Sequence, residues 1–127
     1  MISKLTNMKN KKQKLRSDCD QQWFRIIMSK HPNCEVCGST AVQAHHFFPK
    51  GLYGSLRYNI HNGIGLCMKC HFFHHHRGDP TIHQNIIMKR GKNWYSKLQQ
   101  IACQPPKSGY LTVGYYEDKL KELTKQL

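Results

Sequence analysis

The spacing of apolar side chains first predicts a helix near the N-terminus. Trp23, Ile26 and Ile27 recur at helical spacing within residues 17–30, and the serine that opens this stretch is a typical N-cap. A proline two residues beyond the stretch disfavours its continuation. We therefore expect a helix over 17–30, and the preceding residues 1–16 show little hydrophobic period.

The pattern then changes to two short apolar stretches bounded by turn-forming residues. Residues 40–48 and 62–66 are short enough to be strands, and Pro49 and Gly51 mark a loop after the first. Residues 67–77 predict a short helix that closes at Gly78. A β-hairpin followed by a helix is thus expected. Helical spacing returns over 81–90, 92–101 and 115–127.

These elements indicate the α+β class and one small domain. At 127 residues the chain buries only a modest core, so a bound metal would supply stability that apolar burial does not. We expect a domain with flanking helices over 17–104 and a linker with a C-terminal helix over 105–127. Residues 1–16 hold six Lys or Arg and no acid, which is typical of a flexible solvated arm and also of a phosphate-contacting tail.

The charge balance predicts a polyanionic partner. Twenty Lys and Arg stand against seven Asp and Glu, which gives a formal charge of +13. Such a balance favours nucleic acid as the partner. No stretch has the apolar length of a membrane span, and the basic N-terminus lacks the apolar core of a signal peptide. We therefore expect a cytoplasmic protein without a membrane partner. If the protein is phage-encoded, the compartment is the cytoplasm of the bacterial host. The oligomeric state, monomer or homodimer, stays open.

Four of the six cysteines form two Cys-x-x-Cys pairs, which favours metal ligation over disulfides. A redox role would need a thioredoxin-like βαβ pattern, which is absent here. A glycine follows the first pair and suits the left-handed turn of a zinc knuckle. We predict one structural zinc held by Cys34, Cys37, Cys67 and Cys70. The alternative is that these four thiols are separate and reduced. Cys19 and Cys103 stand alone and are interpreted as small buried hydrophobes.

The histidines supply a second set of candidate groups. His45 and His46 are adjacent, so on a strand they point to opposite sides and cannot share one role. One can bind a metal while the other acts as a base. His71 and His75 lie four residues apart and share one helix face, which allows both to bind one ion. His74 is the alternative to His75.

This set of residues resembles the HNH or ββα-metal nuclease family, with spacing similar to that of the colicin-type DNases. The resemblance implies a zinc-stabilised ββα-metal core flanked by helices. It implies His46 as general base, and His45, His71 and His75 as ligands of one catalytic cation. It also implies that Asn62 braces the loop that orients the base, so that His46, Asn62 and His71 form the catalytic set.

A wider resemblance covers most of the chain. The stretch Leu56-Arg57-Tyr58-Asn59, together with Asn62 and the two cysteine pairs, is similar to phage recombination endonucleases of the NinG/Rap type. This implies a role in recombination or genome processing, with branched DNA as one candidate substrate. The chain has histidine at position 71, where asparagine is common in that family, so the metal preference is not carried over.

The chemistry of the segment limits the catalytic ion. Residues 36–78 contain no Asp or Glu. A metal site there must use imidazole, phosphate oxygen and water, which suits Zn²⁺, Ni²⁺, Mn²⁺ or Co²⁺ at least as well as Mg²⁺.

We therefore predict a metal-dependent HNH endonuclease that hydrolyses DNA. The alternatives are a catalytically silent, zinc-dependent nucleic-acid-binding module and an RNA-directed nuclease. The candidate phosphate contacts are Lys50, Arg57, Lys69 and Arg77. Single surface histidines are expected at His31, His61 and His83, and core packing is expected for Phe47, Phe48, Phe72 and Phe73.

Overall fold

The computed structural model describes residues 2–77 and 80–126, with side chains for 10–73 and 80–126. Two single-turn 3-10 helices, Gly54–Leu56 and Ile60–Asn62, lie in the connection between the two strands. The order of the other elements in this part of the chain is α1 (Ile2–Lys30), β1 (Gln43–His46), β2 (Gly63–Leu66), α2 (Met68–Arg77), α3 (Pro80–Arg90), α4 (Lys92–Ala102) and α5 (Val113–Thr124). The expected α+β class is confirmed.

The first helix is much longer than the apolar spacing predicts. It begins at Ile2 and runs without a break to Lys30, so the expectation of a helix start at Ser17 is wrong. Residues 2–16 contain no proline or glycine and many good helix formers, whose intrinsic propensity does not depend on a hydrophobic face. Ser17 is therefore an exposed residue inside the helix and not its cap.

The two strands form an antiparallel pair, shorter than predicted. His45 lies opposite Ile64 and His46 opposite Gly63. Asn62 does not belong to the strand but ends the second 3-10 helix. Only Cys67 separates β2 from α2, so the sequence folds as strand, strand and helix in that order. The predicted helix closure at Gly78 lies outside the described residues.

The chain folds into two compact units, Ile27–Gln104 and Met1–Ile26 with Pro105–Leu127. The first unit contains the hairpin, α2, α3 and α4. Its core is an apolar cluster in which metal-ligand candidates pack directly against aliphatic and aromatic side chains. The buried members are Cys34, Phe47, Ile64, Leu66, Cys67, Cys70, Ile82 and Ile86.

Two glycines in β2 let the end of α1 and the chain that follows it lie directly against the sheet. A Cβ at Gly65 would stand 2.5 Å from the backbone oxygen of His31, which cannot move aside easily. A Cβ at Gly63 would overlap the side chain of Ile27. Because β2 carries no side chains at these positions, the segment that leads into the first cysteine pair is held close to the hairpin.

The second unit joins the two ends of the described chain. The thiol of Cys19 is fully buried and lies 3.4 Å from the backbone oxygen of Tyr116 in α5. α5 begins two residues earlier than predicted because Thr112 caps it, its hydroxyl accepting from the backbone N–H of Tyr115 at 3.2 Å. The buried hydrophobic reading of Cys19 is confirmed.

Candidate metal centre and active site

The two cysteine pairs meet in one cluster. Cys34 and Cys37 lie in a tight turn before β1, whereas Cys67 and Cys70 lie at the junction of β2 and α2. Gly38 takes a left-handed conformation with φ of 81°, and its N–H donates to the Cys34 carbonyl at 2.9 Å. The four Sγ atoms all lie within 4.8 Å of one another.

This geometry fits a tetrahedral metal ion. Four thiolates about 2.3 Å from a zinc ion lie about 3.8 Å from one another. The Sγ atoms of Cys37 and Cys67 are 3.5 Å apart, close to that value. Three of the four thiols are buried and only Cys37 is exposed. The structure therefore confirms that these four cysteines could hold one structural metal ion such as zinc. The identity of the ion stays a prediction.

The acidity of the thiols differs within the cluster. Hydrogen bonds with the side chain and backbone of Ser39 lower the pKa of Cys37 to about 6. Burial is the main cause that raises the pKa of Cys70, and hydrogen bonds with neighbouring thiols raise it further. Thiols packed this closely resist joint ionisation, and a bound cation removes that resistance because it stabilises each thiolate.

His46 is held by a backbone carbonyl of the loop between the strands. Its Nε2 lies 2.9 Å from the backbone oxygen of Arg57. A carbonyl only accepts hydrogen bonds, so Nε2 carries the proton in the neutral imidazole and Nδ1 carries the lone pair. The environment thus selects one tautomer of His46.

Asn62 is fully buried and fixes the same loop. Its Oδ1 accepts from the backbone N–H of Phe48 at 2.8 Å. Its Nδ2 donates to the carbonyls of Phe48 and Leu56 at 3.1 and 3.2 Å. Leu56 immediately precedes Arg57, whose carbonyl holds His46. The side chain of Asn62 therefore ties the start of the loop to the segment that positions the His46 ring.

His45 points away from His46 and lies near the helix that follows the hairpin. It is buried, and its ring centroid is 5.9 Å from that of His71 in an edge-to-face arrangement. The structure thus brings two of the three proposed catalytic-metal ligands together. The side chains of His75 and of the alternative His74 lie outside the described residues.

The predicted phosphate contacts are not all alike. Lys50 and Lys69 are exposed, and the Lys69 ammonium lies 5.9 Å from the ring centroid of Phe73. Arg57 is half-buried, with its guanidinium 5.8 Å from the ring centroid of Tyr58. The side chain of Arg77 lies outside the described residues.

Several simple surface and core expectations are wrong. His83 is half-buried and stacks on Phe47 with ring centroids 4.2 Å apart, and burial lowers its pKa. Phe72 is 50% exposed and does not belong to the core. Cys103 is exposed and is not a buried hydrophobe. Phe47 is buried as expected, and His61 is exposed as expected.

Sequence reasoning missed an ion pair beside the cysteine cluster. Glu35, which follows the first cysteine, pairs with Arg90 at the end of α3 at 2.7 Å. His31, expected on the surface, contacts both: its Nδ1 lies 3.5 Å from Glu35 and its Nε2 lies 3.1 Å from Arg90. Burial lowers the pKa of His31 although the Glu35 carboxylate opposes this. The only sequence signal was an acid inside a basic chain.

Comparisons of the chain with protein-family models, curated proteins and solved structures find no match. The assignment of function therefore rests on the residues of this chain and their geometry. None of the helices in the described part of the chain combines the length and the apolar character that crossing a membrane requires.

Proposed function

We propose that this chain is a metal-dependent endonuclease of the HNH type that hydrolyses DNA phosphodiester bonds, with His46 as general base. The observation that carries the proposal is the hydrogen bond between His46 Nε2 and the Arg57 carbonyl, on a loop braced by the buried Asn62. This bond orients the ring and sets which nitrogen carries the lone pair, as it does for any imidazole that donates to a carbonyl. A general base needs its lone pair at a defined atom.

The proton transfer follows from this tautomer. His46 Nδ1 takes a proton from a water molecule as the water oxygen attacks phosphorus. The bond between phosphorus and the 3′ oxygen breaks, the leaving oxygen takes a proton from solvent, and His46 Nδ1 later returns its proton to solvent; the products are a 5′-phosphate and a 3′-hydroxyl. The Arg57 carbonyl stabilises the imidazolium that forms, because it accepts a hydrogen bond from Nε2–H throughout.

One divalent cation would be held by His45 and His71, with His75 or His74 as the third ligand. When bound, such a cation stabilises negative charge on the phosphate and on the leaving oxygen. The buried position of His45, close to His71, supports this assignment. The donor set consists of imidazoles, which suits Zn²⁺, Ni²⁺, Mn²⁺ or Co²⁺ and leaves Mg²⁺ as a largely hydrated alternative.

The charge distribution supports a nucleic acid as the substrate. The chain carries a formal charge of +13, and its described N-terminal helix exposes Lys11, Lys12, Lys14 and Arg16. Such cations neutralise phosphates irrespective of base sequence. DNA is chosen over RNA on the resemblance to phage recombination endonucleases, and a role in genome processing rests on that resemblance as well.

The test is cleavage of supercoiled plasmid with Mg²⁺, Mn²⁺, Ni²⁺, Co²⁺ and Zn²⁺ in turn. His46→Ala should lower the rate by about 10²–10⁴-fold, the range for loss of a general base. It should leave DNA affinity and bound zinc unchanged. His71→Ala should instead raise the metal concentration needed for half-maximal rate. His61→Ala is the matched control, since its side chain is exposed and its backbone carbonyl makes the hydrogen bonds to Arg90 and Trp94.

The same experiment decides against the proposal if His46→Ala cuts as fast as the wild type. Absence of cleavage by the wild type with every metal would favour the binding module, which keeps the cysteine cluster and the positive charge without turnover. Cleavage of a matched RNA duplex in preference to DNA would favour the RNA-directed nuclease.

A further inference from the structure

Arg90 holds the backbone on both sides of Asn62. Its Nη1 donates to the carbonyl of His61 at 3.2 Å, and its Nη2 donates to the carbonyl of Gly63 at 2.8 Å. These carbonyls belong to the residues immediately before and after Asn62. The Arg90 guanidinium, at the end of α3, therefore holds the backbone carbonyls on either side of Asn62, the residue that braces the proposed catalytic loop.

The guanidinium is itself fixed by the turn that carries the first cysteine pair. Arg90 Nε donates to Glu35 Oε1 at 2.9 Å, and Nη2 lies 2.8 Å from Oε2. The two side chains are only 13% and 11% exposed. Charge-assisted, two-point pairing of this kind holds both partners in one geometry and is little screened at such low exposure.

An indole also contacts this side chain, as His31 does through its Nε2 at 3.1 Å. The Arg90 guanidinium carbon lies 5.0 Å from the ring centroid of Trp94, within cation–π distance. The indole Nε1 donates to the same His61 carbonyl at 2.8 Å. The carbonyl before Asn62 is therefore held by two donors from two different residues.

We propose that Arg90 is a positioning residue for the catalytic loop, an inference that rests on the proposed function. It fixes the carbonyls of residues 61 and 63 and so sets the direction of the Asn62 side chain. Asn62 in turn holds the Leu56 carbonyl, and the next carbonyl along the chain, that of Arg57, selects the tautomer of His46. Glu35 links this sequence of contacts to the cysteine cluster.

A lysine at position 90 would not replace the arginine. The guanidinium presents five N–H donors in one plane, and here they reach a carboxylate and two carbonyls at once. An ammonium keeps the charge and can pair with Glu35, but as a point charge it cannot span two carbonyls while it holds both carboxylate oxygens.

The test measures the tautomer of His46 directly, by two-dimensional NMR of ¹⁵N-labelled imidazoles in zinc-loaded full-length protein above the imidazole pKa. Wild type should show the Nε2–H form. Arg90→Gln should give a mixture of tautomers and lower the plasmid cleavage rate by about 10- to 100-fold, as for loss of other outer-shell partners. DNA affinity should change little. The matched control is Lys89→Gln, because Lys89 precedes Arg90 on the same helix and donates to the Glu35 carbonyl at 3.0 Å without reaching residue 61 or 63.

A second variant separates positioning from folding. Arg90→Lys retains the ion pair with Glu35 and should still show the tautomer mixture. A cavity of about 330 Å³, lined by Arg90, Lys30, His31, Ile60, His61 and Trp94, gives solutes access to the site of the lost side chain. The Arg90→Ala protein should show the same mixture of His46 tautomers. Added ethylguanidinium should restore the Nε2–H form in this variant, and ethylammonium should not.

The proposal is overturned if Arg90→Lys keeps the wild-type tautomer ratio, or if Arg90→Gln folds with zinc bound and keeps both that ratio and the cleavage rate. The NMR readout needs no turnover. An inactive wild-type protein would thus reject the nuclease assignment, while the tautomer ratios would still decide the role of Arg90.

Discussion

Replacing Asn62 by alanine tests how strongly the loop between the strands depends on one side chain. The change removes three hydrogen bonds and leaves the N–H and C=O of Phe48 and the C=O of Leu56 without this partner. Each buried group left unsatisfied costs about 1–3 kcal/mol. Because Phe48 is only half-buried, water compensates part of this, and we expect a loss of about 2–4 kcal/mol in the free energy of unfolding.

The assay is urea unfolding of the zinc-loaded protein, with amide hydrogen exchange as a local readout. Asn59→Ala is the control, since Asn59 caps the same 3-10 helix through a bond to His61 N–H and should cost only about 0.5–1 kcal/mol. In Asn62→Ala the amide of Phe48 should lose protection while that of Phe47, bonded to the backbone oxygen of residue 62, keeps it. Equal losses in the two variants would refute the reasoning.

Two further outcomes concern the metal and the charge. Cys67→Ser should lose tightly bound zinc, measured by elemental analysis, and should unfold or aggregate. The control Cys103→Ser should keep both metal and fold, because Cys103 is exposed and lies outside the cluster. A folded, metal-free Cys67→Ser protein would contradict the cysteine site. Deletion of residues 2–16 should flatten the dependence of DNA affinity on salt in a titration series, because fewer counterions are released, and an unchanged slope would exclude the segment from binding.

The four cysteines of the candidate metal site could be predicted from the sequence because their spacing is local. Two Cys-x-x-Cys pairs with a glycine after the first predict a four-cysteine metal site, and the structure brings all four thiols together. The position of α2 followed from residues 67–77 in the same way. In each case neighbours in sequence carry the information.

The Arg90 contacts could not be predicted because they join residues far apart in sequence. Arg90 and Glu35 are separated by 55 positions, and no local pattern relates them. The start of α1 was missed for the opposite reason: residues 2–16 are helical through intrinsic propensity, which leaves no hydrophobic period. His83 was misplaced because its stacking on Phe47 depends on how α3 packs.

The packing of α1 on α5 has a consequence for synthesis. Cys19 and Tyr116 lie 97 positions apart, so the first helix cannot complete this contact until α5 has been translated. Residues 27–104, by contrast, contain their own core and both cysteine pairs in one continuous stretch. A growing chain can therefore close the hairpin and bring its four cysteines together before α5 has been made and before the N-terminal helix can pack on it.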